Sequence, residues 1–307
     1  MRILLTGGAG FIGASIIPRL LNRGDEVRVL DIAPKNPLLN LRCASDRRLD
    51  WTIASVSDGN AVASAARGCD AILHLAAMLT PACTADPIRA AQVNVIGTLN
   101  MFEAARLHKL KGVLYMSSAA VYASKLRDCP HPETHYGAFK LAAEGAARAY
   151  WADHRIASVG LRPYVVFGAG REVGLTAGPA LACRAAVEQR AYSIPFTGSA
   201  NFVYVDDVAS AFVEAAVELA NGRTGPSVFD IPGEAASVQD VIRIIQRYVP
   251  GAHLNSSGPM LPIQLPHKLN DIRAAIRNVV RTPLEIGLKK TIDGYAEMLA
   301  SGPQSLQ

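Results

Sequence analysis

The 307-residue chain has no CxxC pair. Its five cysteines, Cys43, Cys69, Cys83, Cys129 and Cys183, are far apart and odd in number, which argues against a disulfide framework and against a zinc site. No apolar run reaches the roughly 18 residues of a membrane span, and Met1–Thr6 enters a strand-like segment without a leader-type apolar stretch. Charge of one sign never gathers in a block: the net +5 is scattered, and aromatics make up only 6% of the chain. Neither nucleic acid nor a membrane surface is therefore expected as a partner, whereas mild attraction for anionic small molecules is. Internal repeats, heptads and low-complexity tracts are also missing. The expectation is a cytoplasmic globular protein that holds no metal.

Half of the residues are hydrophobic, enough to build a core at this length. Short β-branched or leucine-rich runs at 2–6, 27–31, 50–56, 71–76, 112–117 and 156–161 alternate with helix-like stretches near 11–23, 58–67, 87–109 and 137–153. That is the βαβ rhythm of a Rossmann-type, doubly wound parallel sheet. Gly24 reads as a helix stop and Asp58 as an N-cap. After Pro163 glycine and proline become frequent, which suits a smaller C-terminal substrate-binding lobe over 163–307. The stretch 201–232, a strand, an acidic cap at Asp206-Asp207, a helix and another strand, is expected to return to the domain formed by 1–162.

The sharpest signal is TGGAGFIG at 6–13, directly after the first strand and before the first helix. Glycines in that context allow a tight turn, close backbone approach to a pyrophosphate and close helix–strand contact, while the amides at the helix start bind the anion. Asp31 ends the second strand, 18 residues after Gly13, where a carboxylate can accept the adenosine ribose hydroxyls. An acid there repels a 2′-phosphate, so NAD is expected over NADP, with Lys35 nearby as the opposing charge. Tyr136 and Lys140 stand four apart and so share one face of a helix, one that follows a strand ending in Ser117-Ser118. His74 is read as a packed strand residue.

The ordered set TGGAGFIG, Asp31, HLAA at 74–77, Asn94, SSAAVY at 117–122, YGAFK at 136–140, LRPYVVFGAGR at 161–171 and FVYVDDVA at 202–209 resembles the extended short-chain dehydrogenase/reductase family, also called the NAD-dependent epimerase/dehydratase family. The resemblance implies catalytic roles for three residues. Tyr136 is the general acid/base, its phenol lowered by Lys140 and by the positive nicotinamide; Lys140 anchors the ribose; Ser118 polarises the substrate oxygen. It implies NAD contacts from Gly7, Gly10, Phe11, Ile12, Gly13, Asp31, Leu75, Ala76, Ala77, Asn94, Tyr136, Lys140, Pro163 and Val166, and a homodimer formed by the helices at 87–109 and 137–153.

Three departures from the family pattern bear on the reaction. Family dehydratases and decarboxylases carry acids after the catalytic hydroxyl, and here Ala119 and Ala120 stand there, which disfavours elimination and decarboxylation. Many nucleotide-sugar members have an arginine before FVYVDDVA, where this chain has Ser199-Ala200-Asn201. Only 17 residues separate Ser118 from Tyr136, and Ala123 replaces a common glycine. Sugar or nucleotide-sugar 4-epimerisation leads, net oxidation of a smaller sugar or uronic acid follows closely, and a non-catalytic NAD-binding regulator is the reading from another class.

Overall fold

The computed structural model describes residues 1–34, 43, 45–122, 129–261 and 268–300. Lys35 and Ala123 lie outside the described residues. A seven-stranded, all-parallel sheet forms the centre, in the order β3-β2-β1-β4-β5-β6-β10. The strands are β1 (Arg2–Thr6), β2 (Glu26–Asp31), β3 (Leu49–Ile53), β4 (Ala71–His74), β5 (Val113–Met116), β6 (Ser158–Pro163) and β10 (Pro226–Ile231). Helices cover both faces, so the inner strands are continuous apolar runs rather than alternating ones. Ile3, Leu4 and Leu5 are all fully buried.

Local signals set the boundaries. The helix Gly13–Asn22 stops where Gly24 takes φ +93°, and Gly59–Ala66 starts where the Asp58 carboxylate accepts the amides of Asn60 and Ala61. The stretch expected as one helix over 87–109 is a helix at Pro87–Ala91, a π-helical segment at Gln92–Ile96 and a helix at Gly97–His108. The π segment widens the turn and carries Asn94 into the interior, 2% exposed.

A second sheet, in the order β11-β9-β7, is built from β7 (Val165–Phe167), β9 (Ser199–Tyr204) and β11 (Glu234–Ser237). Two short strands, β8 (Tyr192–Ile194) and β12 (Leu254–Ser256), pair beside it. The stretch 201–232 is therefore divided. Residues 201–204 lie in the second sheet, while the helix Val205–Ala220 packs on Gly13–Asn22 and β10 closes the edge of the first sheet. One apolar core runs through both lobes, from Ile3 and Val159 to Phe196 and Ile242. Among the described residues no helix is long and apolar enough to cross a membrane.

Asp206 and Asp207 occupy the first turn of Val205–Ala220 rather than its cap, which is Tyr204 without a side-chain bond. Asp206 pairs with Arg19 at 2.9 Å, tying the two packed helices together. Asp207 is 2% exposed and accepts the Thr282 amide and hydroxyl, which fastens the C-terminal segment. Their negative charges also complement the helix N-terminus.

Candidate active site

The strand order reverses between β1 and β4, and the crevice outside the carboxyl ends of two such strands is where doubly wound sheets bind ligands. The glycine loop lies there, pressed against the chain leaving β4. A Cβ on Gly7, which has φ +76°, would stand 2.7 Å from the Ala76 nitrogen, and one on Gly13 would stand 2.6 Å from the Gly7 carbonyl oxygen. Side chains have no room, so the loop presents main chain. No side chain caps the helix at Ile12 and no acid stands in its first turn, which leaves that end electropositive and fit for a pyrophosphate.

Polar side chains fix this half of the site. The Asp31 carboxylate accepts the amides of Ala9 and Ala33 at 2.9 and 3.0 Å, so it holds the loop and keeps lone pairs for further donors. Asn94 accepts from the Met78 amide at 2.8 Å and donates to the Met78 carbonyl at 2.9 Å. Its amide group thus clamps the chain after Leu75, Ala76 and Ala77. His74 lies between the hydroxyls of Thr6 and Thr98, at 2.7 and 3.2 Å, and burial together with the Lys140 charge pushes its pKa down to about 3. It is a neutral bridge between β1, β4 and the helix Gly97–His108.

Ser118, Tyr136 and Lys140 meet where β5 ends. Successive serines face opposite ways: Ser117 is fully buried and donates to Glu144 at 2.6 Å, whereas Ser118 is half-buried at the open edge. The helix His135–His154 begins beside it, with the Thr134 hydroxyl accepting the Gly137 amide. A Cβ on Gly137 would fall 2.2 Å from the Ala120 carbonyl oxygen. That close approach brings the start of the Tyr136 helix against the turn that follows Ser118, whose hydroxyl lowers the Tyr136 phenol. One turn on, the Lys140 ammonium donates to the Met116 carbonyl at 2.7 Å and lies 5.5 Å from the centre of the Tyr136 ring.

In the chain alone burial pushes the Tyr136 phenol up to about 12, partly offset by the Ser118 hydroxyl and the Arg171 charge. Burial pushes Lys140 down to about 8. The ammonium is committed to the Met116 carbonyl, so its position suits a ribose anchor better than a direct partner of the phenol oxygen.

Pro163 ends β6 next to the trio, and Val166 is buried in the core, paired with Val203 across β7 and β9. Any contact of Val166 with a cofactor must run through its main chain.

A buried relay behind the trio was not legible in the sequence. Arg162 donates through Nε to Glu144 at 2.7 Å and through Nη1 to the Tyr122 hydroxyl; Tyr122 in turn donates to Asp230, which accepts the Asn270 amide at 3.0 Å. Burial opposes the charge on Arg162, and the Glu144 carboxylate more than restores it. The sequence signal was slight: Glu144 is four residues beyond Lys140, on the same helix face.

The family model described as "NAD dependent epimerase/dehydratase family" matches residues 3–231. The chain belongs to this family. It is an enzyme of the extended short-chain dehydrogenase/reductase type, and its cofactor is NAD. A UDP-glucose 4-epimerase of Mycolicibacterium smegmatis is 32% identical over 73% of this chain and 75% of its own length. A dTDP-L-rhamnose 4-epimerase of Burkholderia thailandensis is 28% identical over 91% of this chain and 89% of its own. Among solved structures, the Thermus thermophilus UDP-glucose 4-epimerase in complex with NAD superposes with a TM-score of 0.79 at 25% identity, covering 96% of this chain and 99% of that one.

Proposed function

We propose that this member of the family is a sugar 4-epimerase that works through a ketone, with a nucleotide-linked sugar as its leading substrate class. The observation that carries the reading is the gathering of Ser118, Tyr136 and Lys140 at the end of β5 beside the glycine cradle, with the Lys140 ammonium 5.5 Å from the Tyr136 ring and the Tyr136 helix pressed on the Ala120 carbonyl. Ser118 donates to the substrate oxygen. Tyr136 takes the hydroxyl proton as the C–H bond breaks and gives it back on the return. Lys140 holds the ribose, with Asp31 at the other ribose. Bound by the glycine loop, Asp31 and Lys140, NAD would supply a reversible hydride acceptor for the ketone route.

To accept the hydroxyl proton Tyr136 has to be ionised, and since burial raises its phenol, its ionisation draws on nearby positive charge. Ala119 and Ala120 follow Ser118 and place no second acid or base there, which fits epimerisation and speaks against elimination. Net oxidation of a small sugar or uronic acid remains the second reading, favoured by β9, whose Ser199-Ala200-Asn201 carry no cation for a diphosphate. The same proposal takes the enzyme as a cytoplasmic homodimer, with exposed Ile88, Ile96 and Leu107 along the helices that would pair.

The test is a panel of UDP-, GDP- and dTDP-sugars, free sugars and uronic acids, following NADH absorbance and product stereochemistry together. An epimer formed with no net NADH supports the proposal. Stoichiometric NADH in solution replaces it with dehydrogenation, and no turnover of any panel member, with NAD bound, favours the regulatory reading.

A further inference from the structure

Arg171 stands in the loop that follows β7, and its guanidinium lies 5.8 Å from the centre of the Phe11 ring, in the glycine loop. Its Nη2 donates to the Thr176 hydroxyl at 3.1 Å, while its Nε is shielded from solvent and has no hydrogen-bond partner. No carboxylate pairs with it among the described residues. The adjacent Glu172 is engaged by Arg184 at 2.6 Å and by Tyr295 at 3.3 Å. Other partly buried arginines of the chain do have an acid: Arg162 has Glu144, Arg184 has Glu188 and Arg273 has Asp271.

The position is also built. A Cβ on Gly174 would stand 3.3 Å from Arg171 Nη2 and equally close to Leu79, so a glycine there with φ +107° leaves the guanidinium its space. From this place its charge reaches the Tyr136 phenol, and burial disfavours that charge. An unpaired guanidinium in a desolvated position costs free energy unless an anion meets it. Planar, forked donors suit a carboxylate.

We propose that Arg171 receives a carboxylate carried by the substrate beside Tyr136, so that the substrate class is an acidic sugar, a uronate, rather than a neutral hexose. The proposal rests on the assignment of Ser118, Tyr136 and Lys140 as the reacting centre. Its test needs no turnover, so the two fail separately.

Calorimetric titration of the NADH-bound protein compares D-glucuronate, D-galacturonate and UDP-glucuronate with D-glucose, D-galactose and UDP-glucose. Wild type is expected to bind at least one acid about tenfold or more tightly than its neutral counterpart. Arg171→Gln is expected to erase that preference and leave NADH affinity within about twofold. Should Arg171→Gln fail to fold by circular dichroism, Arg171→Lys, which keeps the charge and the stem, is expected to weaken acid binding about tenfold through loss of the fork. An acid-to-neutral ratio unchanged by the folded variant overturns the proposal, as does no preference in wild type. Loss of NADH affinity with the acid preference intact also overturns it, and assigns Arg171 to the cofactor's pyrophosphate.

Discussion

At Gly7, Gly10 and Gly13 of the first loop glycine lets backbone meet backbone, whereas at Gly168 and Gly174 of the second it makes room for side chains. Added Cβ atoms on Gly7 and Gly13 would strike the Ala76 nitrogen and the Gly7 oxygen. On Gly168 and Gly174 they would meet Val205, Phe11, Arg171 and Leu79. The first arrangement suits a ligand common to a whole family, because main-chain amides do not change with sequence. The second suits a ligand peculiar to one member, since the side chains admitted by the glycines decide what fits. Around the first loop Asp31, His74 and Asn94 all have partners; in the second, Arg171 keeps a donor free.

Tyr136 faces both halves, and its removal has the largest expected effect. Tyr136→Phe should lower kcat by about a thousandfold, in the range of general acid–base contributions, with NAD affinity unchanged by calorimetry. A variant retaining full turnover ends the assignment.

Gly7→Ala and Gly174→Ala test the contrast itself. Each forces a side chain into a left-handed backbone conformation, a strain of about 1–3 kcal/mol. Gly7→Ala adds a clash with main chain that cannot yield, and should weaken NAD about a hundredfold. Gly174→Ala presses on the movable ends of Arg171 and Leu79, and should raise the substrate KM about tenfold with NAD affinity intact. If Gly174→Ala weakens NAD as much as Gly7→Ala does, the two loops are not divided in this way.

Asp31 sharpens the cofactor side. Asp31→Ser should narrow the preference for NAD over NADP by about tenfold, through loss of the charge facing a 2′-phosphate. Equal affinities for both cofactors in wild type would remove the ribose role.

The effect furthest from the reaction is on stability in acid. His74 has a folded pKa near 3 against an ordinary 6.5, so between those values the unfolded chain binds a proton that the native state refuses. Stability should fall as pH drops from 6.5 toward 3, by up to about 1.4 kcal/mol per pH unit from this group. His74→Gln should flatten that limb in urea titrations, and an unchanged slope would mean that the native site admits the proton.

The strands were legible to within a few residues because runs such as Ile3–Leu5 are buried on both faces and punctuated by glycine. That Ser118, Tyr136 and Lys140 come together was legible from a strand running into serine and a helix carrying the other two one turn apart. The π segment around Asn94 was not, since widening a helical turn leaves no mark on composition. Nor was the cap at Tyr204, where Asp206 and Asp207 read as the N-cap but bond to Arg19 and Thr282 instead. The phenol lowered by Lys140 together with the positive nicotinamide is an expectation for the NAD-bound enzyme, whereas in the chain alone burial raises Tyr136. Arg171 and the relay from Glu144 to Asp230 join residues far apart in the chain, and their pairing, or want of it, exists only after folding.

The place of β10 bears on how the molecule is made. It is the edge strand beside β6, yet residues 164–225 are synthesised between them, and Asp230 gains its Asn270 partner only later still. While the ribosome adds that stretch, β6 presents an open row of main-chain donors and acceptors, the kind of edge on which nascent chains mispair. The N-terminal half cannot mature ahead of the rest, and a chain stopped after residue 162 is expected to depend on chaperones rather than stand as a finished domain.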